Sequence, residues 1–335
     1  MREMKDSGIE WCKSIPSDWR VLRIKYIMYE RREKTRTGEE EPLSVTQKYG
    51  IVKTKDIEVA NPSVSYDDYI IVSRNDIVFN KYKAHSGVFF VTPYDGIVTF
   101  NYSVYRCYNG FNPKYYEYLF HTQGCIGEFK TRLHGVGESI SPLYTKDLFS
   151  VTVLAPTLEE QNRIVIYLDS ICAEINTTIS DIEREIETLE EYKRSVITEA
   201  VTKGLDPDVE MRDSGVQWIG MMPTHWDCQR GKYILRYVQK PVRDDDGVIT
   251  CFRDGEVTLR SNRREESFTM ADKEIGYQGI DVGDLVVHGM DGFAGAIGIS
   301  DSRGKASPVL NVLDTEQNKR YIMYYLRSMA YNDVF

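Results

Sequence analysis

The sequence MKDSGIEW, residues Met4–Trp11, recurs 207 positions later as MRDSGVQW, residues Met211–Trp218. The match continues without a gap to Ile27 in the first copy and Ile234 in the second, and it includes all four tryptophans of the chain, Trp11, Trp19, Trp218 and Trp226. An internal repeat of this kind indicates two copies of one structural unit. We therefore predict that the chain folds as two related modules; two unrelated domains with a similar linker are the alternative.

A fainter match extends the repeat along the chain. Asn75-Asp76-Ile77-Val78 aligns with Gly283-Asp284-Leu285-Val286, and Tyr118-Leu119 aligns with Tyr325-Leu326. Because 335 − 207 = 128, the second copy stops at the position that corresponds to Glu128. We expect the second module to lack a counterpart of residues 129–204 and to be incomplete at its C-terminal end.

Within each copy the pattern favours short strands. β-Forming residues bracketed by turn residues predict strands at 76–79, 87–91, 284–287 and 296–299, and the stretches 115–120 and 321–328 resemble short helices. We predict an α+β fold in which each copy is a mixed module with a curved sheet.

Residues 158–203 have a different, helical pattern. Apolar residues recur at steps of three, four or seven, as in one seam of a coiled coil: Leu168, Ile171, Ile175, Ile182, Ile186, Leu189 and Val196. Thr157 and Glu160 form a capping-box pattern at the start, and Gly204 is a typical stop. About 45 residues would make a rod of roughly 65–70 Å. So long a helix with one apolar seam requires a partner helix.

These patterns define three segments. We predict a first module at residues 1–155, a long spacer helix at 156–204 and a second module at 205–335. The helical segment has a net charge of −6, whereas residues 1–155 carry 21 bases and 19 acids, a net of +2. The net charge of the whole chain, −9, argues weakly against non-specific binding of nucleic acid, but a local basic face in the first module is compatible with these numbers.

The composition indicates a cytoplasmic protein. No run of 18 apolar residues occurs, and the polar start Met1–Asp6 is unlike a secretory signal. The six cysteines have irregular spacing without a Cys-x-x-Cys pair, which favours reduced thiols over disulfides or a zinc site.

Three motifs resemble those of a known protein family. They are Asp6-Ser7-Gly8 with Trp11, Pro16 with Trp19, and Pro156-Thr157-Leu158-Glu159-Glu160-Gln161 at the start of the long helix. The chain resembles the specificity subunit of Type I restriction–modification systems over essentially its whole length. The resemblance implies two target recognition domains, each reading half of a bipartite site on double-stranded DNA. It also implies two antiparallel long helices and docking of methyltransferase and restriction/translocase subunits, which carry the chemistry.

The sequence departs from that family in one respect, because a second long helix is missing from it. One alternative is therefore a truncated or silent fragment that dimerises through its helix and reads a palindromic bipartite site. Another is a coiled-coil adaptor that does not bind DNA.

Motifs for catalysis are not found. Asn112-Pro113-Lys114-Tyr115 departs from the Asn/Asp-Pro-Pro-Tyr/Phe loop of amino-methyltransferases, and no phosphate-binding loop occurs. His121 and Cys125 alone make a poor zinc site. We expect a non-catalytic subunit that requires no cofactor and no metal.

DNA contacts are expected from polar segments of the first module. The candidates are Lys81, Lys83 and His85 in the loop 80–87, Arg132 and His134 in the Gly-rich stretch 131–139, and Lys48 beside Tyr49. Lysines neutralise phosphates, and Lys, Arg or His can reach base edges. A solvated hairpin is the alternative for the first loop. In the second copy, His288–Gly292 has no lysine, and Arg253, Arg260, Arg263 and Arg264 fit a charged surface equally well. The tryptophans are assigned to anchoring each module to its helix.

Overall fold

The chain is described by a computed structural model that covers residues 2–57, 66, 68–134, 142–263 and 275–334, except for the side chain of His85. It divides into unit 1, Met1–Thr177, and unit 2, Thr178–Phe335. The boundary falls within one long helix, so each unit contains one end of that helix.

Short strands dominate both units. In unit 1 they are β1 (Met4–Asp6), β2 (Ser14–Pro16), β3 (Arg20–Arg23), β4 (Met28–Arg31), β5 (Leu43–Thr46), β6 (Gly50–Lys53), β7 (Ile70–Val72), β8 (Ile77–Asn80), β9 (Phe89–Val91), β10 (Gly96–Val98), β11 (Tyr102–Cys107) and β12 (Thr152–Ala155). In unit 2 they are β13 (Met211–Asp213), β14 (Met221–Pro223), β15 (Arg236–Tyr237), β16 (Ile249–Cys251), β17 (Val257–Leu259), β18 (Gln278–Ile280), β19 (Leu285–His288), β20 (Ile297–Ile299), β21 (Gly304–Ala306) and β22 (Leu310–Asp314). The helices are α1 (Pro113–Phe120), α2 (Gln123–Lys130), α3 (Thr145–Ser150), α4 (Leu158–Lys203) and α5 (Lys319–Tyr331).

Unit 1 is built on a four-stranded antiparallel sheet in the order β4-β11-β8-β9. Apolar side chains on alternate positions of β8 and β9 point to one face, where Phe79 and Phe89 stack with ring centroids 4.3 Å apart. Helices α1 and α2 cover that face and contribute Phe120 and Phe129, which are fully buried. The core therefore lies between the sheet and these helices.

Unit 2 contains a sheet of the same order, β15-β22-β19-β20, which is also antiparallel. Leu285 and Ile297 on this sheet are buried against Ile322 and Met323 of α5. The predicted α+β class, with two sheet-containing modules and a long helix, is confirmed. The sequence did not predict α2 and α3, which are too short to show a clear helical period.

A buried carboxylate closes the turn before the third strand of each sheet. Asp76 is fully buried and accepts hydrogen bonds from Arg31 at 2.8 Å and Arg106 at 2.7 Å. Its counterpart Asp284 pairs with Lys240 at 2.7 Å. A buried charge is tolerated only when paired, so these ion pairs fix the strands around the turn.

The start of α4 is joined to the rest of unit 1 by several side-chain contacts. The indole N–H of Trp19 donates to the Glu160 carboxylate at 2.8 Å, and Tyr118 donates to Asp169 at 2.6 Å. Gln161 is fully buried; its Nε2 donates to the Pro156 carbonyl at 2.9 Å, and its Oε1 accepts the Asn112 N–H at 2.8 Å. The Glu-Gln motif therefore fixes the helix to its module.

The predicted capping box at this start is half formed. Thr157 Oγ1 accepts the N–H of Glu160 at 3.3 Å, but the Glu160 carboxylate turns away to Trp19 and Arg2. The hydrogen bond from Arg2 holds the pKa of Glu160 below its usual range. The tertiary contacts replace the local reciprocal bond because a charged partner and an indole donor both lie within reach.

The other end of α4 is joined to unit 2. Tyr321 donates its hydroxyl to the Val201 carbonyl at 2.9 Å, which satisfies one of the last unpaired carbonyls of the helix. Gly204 has a φ of +80° and ends the helix as predicted. A Cβ at Gly204 would lie 3.4 Å from the Trp226 ring. Trp19 bonds the start of α4 and Trp226 lies beside Gly204, directly after its end, in agreement with an anchoring role.

The middle of α4 leaves its apolar seam uncovered. Leu168 and Ile171 are half-buried near unit 1, whereas Ile175, Ile182 and Leu189 are 52%, 50% and 56% exposed.

Among the described residues, no helix combines the length and the apolar character that crossing a membrane requires.

Removing the Glu160 carboxylate should loosen the start of α4. In Glu160→Ala the Trp19 N–H and Arg2 lose their acceptor, and we expect amides of residues 158–169 to exchange about tenfold faster, since a hydrogen bond to a charged group contributes about 1.5–3 kcal/mol. Hydrogen exchange read by mass spectrometry on the full chain measures this change.

The matched control is Glu159→Ala, which removes an exposed carboxylate one residue earlier. The Glu160 pKa is lowered in the folded chain. The carboxylate therefore stabilises the start of α4 at pH values above its ordinary pKa of 4.5, and this stabilisation is lost as the pH falls below 4.5. Equal protection in both variants at neutral pH would show that Glu160 does not hold the helix.

Candidate nucleic-acid interface

Unit 1 has a cleft of about 520 Å³ that is lined by cations, one of which, Lys81, belongs to the predicted DNA loop. Its walls come from the end of β4, the segment after β8, the turn before β11 and the segment that enters α3. Four cationic residues line it: Arg32, Lys34, Lys81 and Lys146. One carboxylate, Glu30, also lines it, so the formal balance is +3.

Backbone and side-chain bonds fix the walls of the cleft. Lys81 donates its Nζ to the Phe100 carbonyl at 3.2 Å, and its own carbonyl accepts the Leu143 N–H at 3.0 Å. Tyr105 and Thr145 share a hydrogen bond of 3.1 Å between their hydroxyls. These bonds hold the segment that enters α3 against the sheet, although the bonded residues are 40 and 62 positions apart in the sequence.

The cations of the cleft are directed to solvent. Arg32 pairs with Glu30 at 2.6 Å, but its side chain is 80% exposed, and Lys34 pairs with Asp68 at 2.6 Å while 58% exposed. Lys146 is exposed and has no ion-pair partner among the described residues. Exposed ion pairs are weak, so a phosphate can compete for these cations.

The predicted loop 80–87 joins the antiparallel strands β8 and β9, and within it Lys81–Ser86 forms a short 3₁₀ segment that is kinked at Lys83. Asn80 Oδ1 accepts the Tyr82 N–H at 3.0 Å at its start, and Gly87 ends it with a φ of +70°. Lys81 lines the cleft, and Lys83 is exposed on the same helix. The side chain of His85 lies outside the described residues.

The other predicted contacts are distributed around the cleft. Arg132 pairs with Glu128 at 2.6 Å, and His134 contacts Asp147 at 3.0 Å, with its ring 5.6 Å from that of Tyr144. Lys48 lies 4.9 Å above the Tyr49 ring and does not line the cleft. Residues 135–139 of the predicted Gly-rich stretch lie outside the described residues.

Sequence reasoning missed Arg32, Lys34 and Lys146. The run Arg31-Arg32-Glu33-Lys34 after a strand was a signal for a basic edge. No sequence signal marks Lys146, because its segment reaches the cleft through long-range contacts. These include the pairing of β12 with β3 and the hydrogen bond from the Leu143 N–H to the Lys81 carbonyl.

The corresponding place in unit 2 has no cations of this kind. Sheet register makes Glu30 equivalent to Tyr237 and Asn80 equivalent to His288. Counting from these positions, Gln239, Pro241 and Gly289 replace Arg32, Lys34 and Lys81.

The arginines proposed as compensation in unit 2 have acidic or other partners. Arg253 pairs with Asp291 at 2.9 Å, and Arg263 pairs with Asp254 at 2.7 Å. Arg260 donates to Thr250 at 3.2 Å, and Arg264 lies outside the described residues. The two units therefore differ in the charge of the same surface.

Several solved chains are similar to this one. The HsdS subunit from Thermoanaerobacter tengcongensis is 14% identical over 95% of this chain and 81% of its own, with a TM-score of 0.47. A chain from a study of complex assembly and conformational transition of the type I R-M system is 13% identical over 94% and 80%, with a TM-score of 0.51. The S subunit from M. genitalium is 10% identical over 94% and 78%, with a TM-score of 0.36.

The chain with the TM-score of 0.51 shows a shared fold. A search of curated proteins found no match. The model of the Type I restriction modification DNA specificity domain matches residues 16–188, which is just over half of the chain and includes both the cleft and the Glu-Gln motif of α4. The chain therefore belongs to the Type I restriction modification DNA specificity domain family.

Proposed function

We propose that the chain is the non-catalytic subunit that reads DNA for a Type I restriction–modification complex, and that unit 1 reads one half of a bipartite site. The observation that carries the proposal is the cleft of unit 1, which is lined by four cations and one carboxylate and in which the side chains of Arg32, Lys34 and Lys146 are largely exposed. Phosphate contacts supply much of the affinity of DNA-binding proteins and set their position on the duplex.

Base reading falls to side chains around the cleft. Lys83, Arg132 and His134 remain the proposed contacts to bases or phosphates, together with His85 and the more distant Lys48. Arg132 must release the Glu128 carboxylate to bind DNA, because the two side chains form a partly buried i,i+4 ion pair in which they are 30% and 28% exposed.

The methyltransferase and restriction subunits are proposed to dock on the scaffold and to act where unit 1 places them.

The uncovered seam of α4 supports docking of a further helix. Each buried CH₂ contributes about 0.8 kcal/mol, so burying Ile175, Ile182 and Leu189 favours association. A second copy of this chain is the simplest source, with its α4 packed antiparallel about a two-fold axis.

Neutralising the cleft should weaken DNA binding without changing sequence preference. Each of Lys81→Ala and Lys146→Ala removes one phosphate contact, so the slope of log K against log salt should fall by about 0.9 per substitution. The slope is measured by fluorescence anisotropy of the full chain. The duplex carries the sequence that is found to be methylated in the genome of the host.

The matched control is Lys5→Ala, an exposed lysine on β1 that does not line the cleft. If Lys5→Ala lowers the slope as much as Lys81→Ala and Lys146→Ala do, the charge of the whole chain matters and the cleft is not the interface.

Charging the seam should abolish self-association. We expect the full chain to have the mass of a dimer in light scattering, and Ile182→Asp to convert it to a monomer, because a carboxylate cannot be buried in an apolar seam. Ser180→Asp is the control, since this exposed position is two residues away and off the seam. A wild-type monomer, or a dimer that survives Ile182→Asp, contradicts self-association through α4.

A further inference from the structure

The cleft of unit 1 presents the faces of aromatic rings beside its cations. Tyr82, Phe100 and Tyr144 line it from three different segments of the chain and are 42%, 59% and 52% exposed. Tyr144 lies beside His134, but Tyr82 and Phe100 make no ring contact with another aromatic residue in the part of the chain that the structure describes. Exposed apolar rings gathered in one concave site indicate a ligand.

An intact duplex offers no free base face on which such a ring can stack. Its bases are stacked on each other and offer only their edges to the grooves. A base stacks on a protein ring after it has left the helix, as it does in proteins that bind single strands and in those that extrude a nucleotide. A cleft of about 520 Å³ has the size of a site for one small ligand, so it suits a single nucleotide.

We propose that this cleft binds one unstacked nucleotide of DNA, with its base on the Phe100 ring and its phosphate on Lys81. The proposal rests on the proposed function of unit 1 and names a ligand for the same site. Lys81 Nζ lies 3.2 Å from the Phe100 carbonyl, so the cation and the ring occupy the same wall. A nucleotide has this combination of a flat apolar face and an anion a few ångströms away.

The site is confined to unit 1. Register makes Tyr102 equivalent to Leu310, so Pro308 stands in unit 2 where Phe100 stands in unit 1, and Gly289 replaces Lys81. Both halves of the proposed contact are therefore absent from the equivalent position of unit 2. This difference provides an internal control.

The test compares a matched duplex with the same duplex carrying one bulged 2-aminopurine, a fluorescent base that is quenched by stacking. The full-length wild-type chain should bind the bulged duplex about tenfold more tightly and quench its fluorescence further. Phe100→Ala should remove both effects, so that the bulged and the matched duplex bind with equal affinity. Phe100→Tyr should retain both, and Phe293→Ala, an exposed ring in unit 2, should change neither.

Two results would overturn the proposal. One is a wild-type chain with neither preference for the bulge nor added quenching; the other is an equal loss of affinity for both duplexes in Phe100→Ala, which would place the ring against paired DNA. Tyr82→Ala, checked for an unchanged far-UV circular dichroism spectrum, provides a second variant with the same expectation. Failure of the proposed function has a separate signature, because the matched duplex would then show no salt-dependent binding.

Discussion

The hydrogen bond from the Trp19 indole to Glu160, with Gln161 buried beside it, is the contact on which the arrangement of unit 1 depends. It fixes the first turn of a 46-residue helix to a module whose core, between the sheet and α1, also includes Val165 of that helix. The same region pairs β12 with β3 and leads α3 back to the cleft. Locking the helix start therefore also positions Tyr144 and Lys146.

The buried carboxylates Asp76 and Asp284 impose a second constraint. Each needs a cation because an unpaired charge in the protein interior is strongly unfavourable. The two units satisfy this need differently: Arg31 and Arg106 serve Asp76, whereas Lys240 serves Asp284. Both units have an aspartate at this turn, but its cationic partners differ. This difference is consistent with two modules that share a framework and differ in their surfaces.

That divergence is greatest at the cleft. Unit 1 has Arg32, Lys34 and Lys81 where unit 2 has Gln239, Pro241 and Gly289, although the underlying strands have the same order and register. Strand pairing depends on backbone hydrogen bonds and on the buried face, so residues at the exposed ends of strands can change without cost to the sheet. Two modules of one fold can thus present different charge to a ligand.

The sequence by itself determined the two modules, the bounds of α4 to within two residues, and the strands around Asp76 and Asp284, because these depend on local periodicity and on a repeat that can be aligned. It also pointed to Lys81. Only the tertiary structure decided that Lys146 and Tyr144 join Lys81 in one cleft, that Glu160 bonds Trp19 instead of completing its capping box, and that Arg132 is held by Glu128. Such contacts join segments from about 60 to 140 residues apart or choose among several partners within reach. Neither spacing nor propensity contains that information; it arises when the chain packs and each polar group takes the partner that packing brings within hydrogen-bond distance.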